Sequence, residues 1–448
     1  MNKDNLKTIG IVGGGFTGLT AAYELAKSGF KVKILESSEY LGGLAGNFKI
    51  QGQNIEMAYH HLFKTDNFII NLTKELGLEN ELLWFKSSVC VVTKDKKIYP
   101  FTSPIDLIKF KEVDFFSRIR GGIVTLFLKM WKNWENLEKL SAISWMEKWS
   151  GKVFAQTIWQ PLLKGKFGKY YSKISMAWLW ARIHIRANSR DKGVSSEELG
   201  YYRHGFKILV DKLAEKITEL GGDIITNTFV NSIQEDQDKR IILKTLDNQL
   251  YTFDSVIFTT PSNVFYKIMQ NSNKHDNEYC TKLKNIEYLN AVTLVFASTQ
   301  DISKFYWHNI LDENAPFLVF INHTKLVPKS WYNNLNVYYV GAYVSNDDEI
   351  FSMNEEQIRE KWFSFLKEIF NNFDYSQVKE SYVFKFKNAQ HIVDMEYRSK
   401  IPSYYTHINR VYLANFSQVY PEDRGTNYAV KVGIKIAKII VDKYNKSN

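Results

Sequence analysis

A chain of 448 residues exceeds what one simple core usually organises, since domains commonly run ~100–200 residues, so it forms two domains or one large composite. With 45% hydrophobic and 24% charged residues its composition is globular, which excludes wholesale disorder. The formal net charge of +10 comes mainly from lysines spread along the chain; this reads as a solubility feature and not as a nucleic-acid interface, and it leaves an anionic substrate or a membrane surface open.

The two cysteines, Cys90 and Cys280, are far apart and form no Cys-x-x-Cys pair. Neither a disulfide framework nor a zinc or other metal site is expected, and a reducing compartment fits. The opening MNKDNLKTIGIV runs from charged residues straight into an apolar run, without the apolar core of a secretory signal. No stretch reaches the ~18 apolar residues that span a bilayer. The expectation is a cytoplasmic protein, with peripheral contact at the inner face of a membrane as the alternative.

Residues 8–13 (TIGIVG) form a short apolar run ending in glycines, after which Leu19, Ala22, Tyr23 and Ala26 recur at helical spacing. Strand, turn and helix are predicted. Gly29 stops the helix, and KVKIL places Val32 and Ile34 on one face of a second strand ending at Glu36. From about 66 to 200 the pattern turns helical and rich in Trp and Phe, as in SAISWMEKW and SMAWLWARIHIR, predicting a separate helical layer. A helix pattern within 205–233 leads through Gly221 and Gly222 into strands, and DSVIFTTP (254–261) reads as another buried strand. Further strands are predicted at 291–298, 316–322, 336–344 and 380–389, interrupted by an amphipathic helix at about 354–372. Finally RVYLANF (410–416) reads as a strand, and 427–444 as a helix with Ala429, Val432, Gly433, Ile436 and Ile440 on one face.

Gly13, Gly15 and Gly18 fall in the G-x-G-x-x-G pattern between that first strand and helix. Such glycines permit a tight turn, close approach to a pyrophosphate and close packing of helix on strand. The helix N-terminus then offers free N–H groups and its positive dipole end. Glu36, at the end of the second strand, is placed to accept hydrogen bonds from a ribose, which argues against a 2′-phosphate and leaves FAD or NAD(H). The expected class is α/β: a Rossmann-like dinucleotide domain from residues 1–65, 200–265 and 405–448, with an inserted α+β substrate domain from 66–199 and 266–404, combining a mixed sheet with the helical layer.

ESSEYLGGLAG (36–46) carries the doublet Gly42–Gly43 shortly after the acid. Here the chain resembles the FAD-dependent amine oxidase and protoporphyrinogen oxidase superfamily, in which a glycine doublet continues the cofactor cradle. Leu44 departs from the arginine that many of those amine oxidases carry after the doublet. The resemblance runs along the whole chain in order, the middle by pattern more than by motif. TNTFVNSI (226–233) is similar to the segment whose backbone reaches the adenine, which makes Val230 the candidate, and SVIFTTP ends in Pro261 as the strand that follows does. YLANFSQVYPEDRGTNYAVKVG (412–433) resembles the closing flavin motif. A helix N-terminus there stabilises the negative charge of a reduced flavin; Gly425 admits the backbone, Thr426 or Asn427 caps the helix, and Arg424 adds a cation. The resemblance implies FAD.

EMAYHHLFKTD (56–66) resembles the Gly-Ala-His segment beside the flavin in UDP-galactopyranose mutases, with His60 at the histidine position and Asp66 at a later acid, although Ala58 and Tyr59 replace Gly-Ala. His60 and His61 are candidates for the flavin or substrate side. In WARIHIRANSR, Arg182, Arg186 and Arg190 lie four residues apart on one helix face, as a site for a diphosphate or carboxylates or as a solvated basic face. Arg203 and Arg398 stand beside expected domain junctions. Aromatic residues at 15% suit a large stacking or apolar substrate, and suit a core equally. FFSRIRGGIVTLFLKMW (115–131) reads as a helix of the substrate domain or as one lying on a membrane surface.

The expected activity is that of an FAD-dependent oxidoreductase passing a hydride from an organic, small-molecule substrate to flavin N5. The alternatives are a flavin-dependent sugar-nucleotide mutase and a non-catalytic dinucleotide-binding protein. The sequence leaves the oligomeric state open.

Overall fold

The computed structural model describes residues 6–189, 197–274 and 277–446. At its centre is a five-stranded sheet in the order Asp223–Ile225, Lys31–Leu35, Thr8–Val12, Ser255–Phe258, Val411–Leu413, every neighbouring pair parallel. Stretches of chain far apart in sequence thus build one sheet. Parallel strands covered on both faces need apolar residues at successive positions, and Ser255–Phe258 is buried throughout.

On one face of this sheet the helix Phe16–Lys27 packs against Lys207–Glu219 and against the long tail helix Thr426–Asn445. Gly433 sets how closely the tail helix approaches: a Cβ there would stand 2.7 Å from the Thr17 carbonyl oxygen and from the Thr20 Cβ. Of the expected apolar face, Val432, Gly433, Ile436 and Ile440 are buried and Ala429 is half-buried. An antiparallel ribbon of Val230–Glu235, Ile241–Thr245 and Leu250–Phe253 joins the helix Ser262–Asn271 in a second core, which also takes Val12, Val256 and Phe258 from the parallel sheet.

A seven-stranded sheet forms the second region, in the order Val378–His391, Tyr288–Ser298, Asn336–Val344, Val319–Asn322, Trp307–Ile310, Val89–Val92, Ile98–Pro100. Its pairs are antiparallel except Trp307–Ile310 with Val89–Val92. Alternation of side chains explains the apolar run AVTLVFAS. Val292, Leu294 and Phe296 face a core shared with Ile358, Trp362 and Leu366 of the helix Glu355–Ile369. Val295 and Ala297 face the core shared with the parallel sheet.

The stretch from 66 to 200 is not uniformly helical. Its later part is, with Phe115–Met130, Ala142–Ser150, Gln160–Phe167 and Met176–Asn188. Its early part contributes Leu82–Lys86, Val89–Val92 and Ile98–Pro100 as strands. These are three to five residues long, too short to show a period of their own, and Val89–Val92 pairs on one side with Ile98–Pro100 and on the other with Trp307–Ile310, another short strand that the sequence did not signal. Glu56 ties the regions together: its buried carboxylate accepts hydrogen bonds from the Tyr201 hydroxyl at 2.6 Å and the Phe206 N–H, while the Tyr339 hydroxyl donates to its main-chain carbonyl at 2.8 Å.

Replacing Gly433 with alanine is expected to lower stability by about 1–3 kcal/mol through overpacking, although alanine is the better helix former. Urea unfolding measures this. A variant as stable as its parent would contradict the close approach of the tail helix to Phe16–Lys27.

Candidate functional site

The first strand hands over to its helix through a turn with no spare volume. A Cβ on Gly18 would sit 1.9 Å from the Gly13 carbonyl oxygen, so the helix lies directly on the turn. The doublet closes over it: Gly42 N–H donates to the Gly14 carbonyl at 2.9 Å, and a Cβ on Gly43 would stand 3.2 Å from Gly15 Cα. Gly15 is the N-cap of Phe16–Lys27 and offers no side-chain cap. The N–H groups of the first turn therefore lack a partner within the helix and face outward as a site for an anion.

Glu36 is buried and held by its own chain. Oε2 accepts from Gly14 N–H at 2.6 Å, while Oε1 accepts from Ser38 N–H at 2.8 Å and from the hydroxyls of Ser37 and Ser38. A carboxylate has about four acceptor positions, about two on each oxygen, so Oε2 keeps one open beside its bond from Gly14. Glu36 lines a cavity of about 490 Å³ together with Gly13, Gly15, Gly42, Gly43 and Val230. The same cavity reaches Arg424, Gly425 and Thr426 at the start of the tail helix. Gly18 supports the turn from behind and does not line it.

The capping of the tail helix differs from expectation. Its N-cap is Gly425, with no side-chain cap from Thr426 or Asn427. The Asn427 carbonyl oxygen instead accepts from Phe68 N–H at 2.9 Å and Ile69 N–H at 3.2 Å, capping the helix Asn67–Glu75 that packs alongside. The first-turn N–H groups of the tail helix are thereby left without a side-chain cap of their own, where a second cavity of about 350 Å³ meets the first. Leu44, His60, Phe386, Arg424, Gly425 and Thr426 line both.

His60 Nδ1 lies 2.7 Å from the Ala58 carbonyl oxygen, which assigns the proton to Nδ1 and leaves Nε2 as an acceptor. Burial pushes its pKa down to about 4, so the ring is neutral at pH 7. His61 lines only the second cavity. Its Nδ1 is 3.1 Å from the Tyr306 hydroxyl, and burial, then Arg186, push it down to about 3. Asp66 also faces that cavity; its Oδ2 accepts from Phe63 N–H at 2.8 Å, and burial raises its pKa to about 6.

A buried ion cluster dominates the second cavity. Asp423 Oδ2 accepts from Arg182 at 2.7 Å and Lys166 at 3.0 Å, and Oδ1 from the Trp178 indole at 3.2 Å. Burial acts to raise its pKa, but Lys166, Arg182 and Arg424 hold the carboxyl well below the usual range. Lys166 shares that one carboxylate with Arg182, and burial lowers its ammonium pKa. Arg424 is fixed by Gln390 at 3.0 Å and the Tyr343 hydroxyl at 2.7 Å. Burial acts to raise the Tyr343 phenol, yet Arg424 and Lys166 bring it below its ordinary value.

Arg182 and Arg186 both line the second cavity, and Arg182 already has a carboxylate partner within the protein. Arg190 lies outside the described residues. Arg203 pairs with Glu81 at 3.6 Å, and Arg398 lies over the Trp134 ring; both are exposed and neither lines a cavity. Lys166, Trp178, Tyr343, Gln390 and Asp423 were not signalled by the sequence, because they come from separate elements. The one local cue is the acid immediately before Arg424 in PEDRG. Among the described residues, no group of three or more His, Cys, Asp or Glu could hold a metal ion.

A family model for flavin containing amine oxidoreductases matches residues 16–417. Coproporphyrinogen III oxidase of Staphylococcus aureus is 23% identical over 290 residues, covering 58% of this chain and 61% of that protein. Amine oxidase [flavin-containing] A of Sus scrofa is 24% identical over 291 residues, covering 60% and 52%. The chain thus spans about half to three-fifths of the length of these relatives. The crystal structure of a candidate protoporphyrinogen oxidase from Exiguobacterium sp. 255-15 shares the fold, with a TM-score of 0.77, 16% identity, and coverage of 98% of this chain and 99% of that one. These comparisons lend no support to the sugar-nucleotide mutase alternative.

Asp66 yields a pH-dependent expectation. Its folded pKa of about 6 lies above the ordinary aspartate value of 3.8, so the folded state binds the proton more tightly and ionisation costs stability as pH rises from about 4 to about 6. Asp66→Asn is expected to match the parent near pH 4 and to exceed it by about 2–3 kcal/mol at pH 7. Urea unfolding at both pH values measures it; equal stability at pH 7 would contradict the burial of a charged Asp66.

Proposed function

The chain belongs to the flavin-containing amine oxidoreductases, a family that implies a flavin cofactor, and from that premise we propose an FAD-dependent oxidoreductase that takes a hydride from an organic substrate bearing an anionic group. In this reading residues 1–65, 200–265 and 405–448 hold FAD, and residues 66–199 and 266–404 hold the substrate. The observation that carries it is the junction of the two cavities at the uncapped start of the tail helix.

The residues fit the cofactor in chemistry as well as in space. Gly13 and Gly15 let the backbone approach a diphosphate, and the first-turn N–H groups of Phe16–Lys27 compensate its charge. Glu36 takes a ribose hydroxyl on Oε2, and the backbone at Val230 takes the adenine. Bound flavin supplies a two-electron acceptor for the substrate hydride. The start of the tail helix, at Gly425 and Thr426, favours the negative charge that reduction brings, through its N–H groups and dipole. His60 is neutral at pH 7 and too weak a base to take a proton there; it orients by accepting a hydrogen bond on Nε2.

Substrate class follows from charge. Lys166, Arg182 and Arg424 surround the single carboxylate of Asp423 and, with Arg186, outnumber the acids Asp423 and Asp66 on this cavity, leaving a positive excess beside a wall of Leu163, Trp178, Leu179 and Ile183. A carboxylate or phosphate on the substrate supplies the missing anion, and the apolar wall holds its body and excludes water. The two relatives above are named for an amine oxidase activity and for coproporphyrinogen III. A protonated amine is disfavoured here by like charge.

Three measurements test this reading. The flavin released from purified protein is expected to be FAD by chromatography; FMN alone, or no flavin after reconstitution with FAD, would overturn it. A Cβ on Gly425 meets nothing within 4 Å, so Gly425→Val is expected to lose most of its flavin while unfolding like the flavin-free parent. Anaerobic bleaching of the flavin is expected with acid-bearing compounds, and Lys166→Met is expected to weaken the productive acid by roughly ten- to a hundredfold, the loss of one charge-assisted hydrogen bond. Bleaching by amines and never by acids would sink the anionic class.

A further inference from the structure

The helix Phe115–Met130 carries two apolar stripes. Gly121, Val124 and Leu128 are buried against the helical layer. The opposite stripe, Phe116, Ile123, Leu126 and Met130, recurs at helical spacing and is 82%, 61%, 61% and 71% exposed. Neighbouring elements extend it with Ile105 at 60% and Trp149 at 50%.

Two guanidinium groups bind these pieces into one surface. Arg118 donates to the Ile108 carbonyl in the helix Pro104–Lys109. Arg120 donates to the Trp149 and Lys148 carbonyls at 2.7 Å each, at the end of the helix Ala142–Ser150. Single exposed apolar side chains are ordinary; a contiguous patch fixed in this way is not. Its fringe is basic. Lys109, Lys111, Lys129, Lys132, Lys148 and Lys152 are exposed across residues 104–153, against the exposed acids Asp114 and Glu135. No helix among the described residues is long and apolar enough to cross a membrane.

We propose that this face docks the protein onto an anionic phospholipid surface, with Phe116, Ile123, Leu126 and Met130 entering the acyl boundary and the fringe lysines meeting the headgroups. The chemistry of a helix lying in the interface plane requires both parts, and the patch has both. A second copy of this chain would bring the same lysines against each other. The helix also packs on Met176–Asn188, whose Trp178 and Arg182 line the second cavity, so docking sets the wall of that cavity close to the lipid. None of this depends on the redox reading above.

The test is flotation of the full-length flavin-loaded protein with vesicles of phosphatidylcholine alone and of phosphatidylcholine mixed with phosphatidylglycerol. Association is expected with the anionic vesicles and weakly or not at all with the neutral ones, and it is expected to fall as salt is raised. Phe116→Ser/Ile123→Ser/Met130→Ser and Lys132→Glu/Lys152→Glu alter exposed positions only, and each is expected to reduce bound protein roughly tenfold or more with unchanged flavin content and melting temperature. No association with either vesicle type, or association unaffected by both variants, overturns the proposal. So does a dimer in sedimentation that the serine variant abolishes while neither protein binds vesicles.

Discussion

Two helices that start at opposite ends of the chain open their N-termini onto one cavity because they pack side by side on the same face of a parallel sheet. That packing depends on the close approach at Gly433, where the tail helix meets Thr17 and Thr20 of the first helix. Once the helices lie together, the turn at Gly13–Gly15 and the start at Gly425 both line the same space. Neither helix supplies a side-chain cap for its own first turn. Unsatisfied N–H groups are costly unless something answers them, and here they converge where a dinucleotide would lie.

The second constraint is electrostatic. Asp423 is a buried carboxylate among three cations, and a buried ion of this kind is tolerated when it is paired and hydrogen-bonded. Two cations share its Oδ2 and an indole N–H reaches its Oδ1. Arg424 points its fork at Gln390 and Tyr343 instead, which keeps positive charge at the junction of the two cavities. A site with surplus positive charge and apolar walls selects its ligand by what it lacks. Binding an anion neutralises the cluster, whereas binding a cation adds to the repulsion.

Local spacing made the first turn legible: Gly13, Gly15, Gly18 and Glu36 lie within one strand–turn–helix–strand unit, and the doublet follows within seven residues of the acid. The tail helix was legible from its apolar face, yet its cap was not. Asn427 looks like a cap in sequence, and it is one, for the helix Asn67–Glu75 from the other end of the chain. The same limit hid Lys166 and Asp423, whose partners are brought together only by folding. Short strands were lost for a related reason, since Val89–Val92 and Trp307–Ile310 are four residues each and are stabilised by pairing with each other. The apolar helix Phe115–Met130 was visible as a pattern, but which of its two stripes is buried is decided by Val124 and Leu128 against the helical layer.

A crystal structure of the purified protein, soaked with FAD if the cofactor is not retained, tests the central claim most directly. The account expects the diphosphate over the first turn of Phe16–Lys27, the adenosine ribose on Glu36, and the isoalloxazine ring between Leu44, His60 and the start of the tail helix at Gly425–Thr426. A ring bound elsewhere, or an empty turn after soaking, would contradict it.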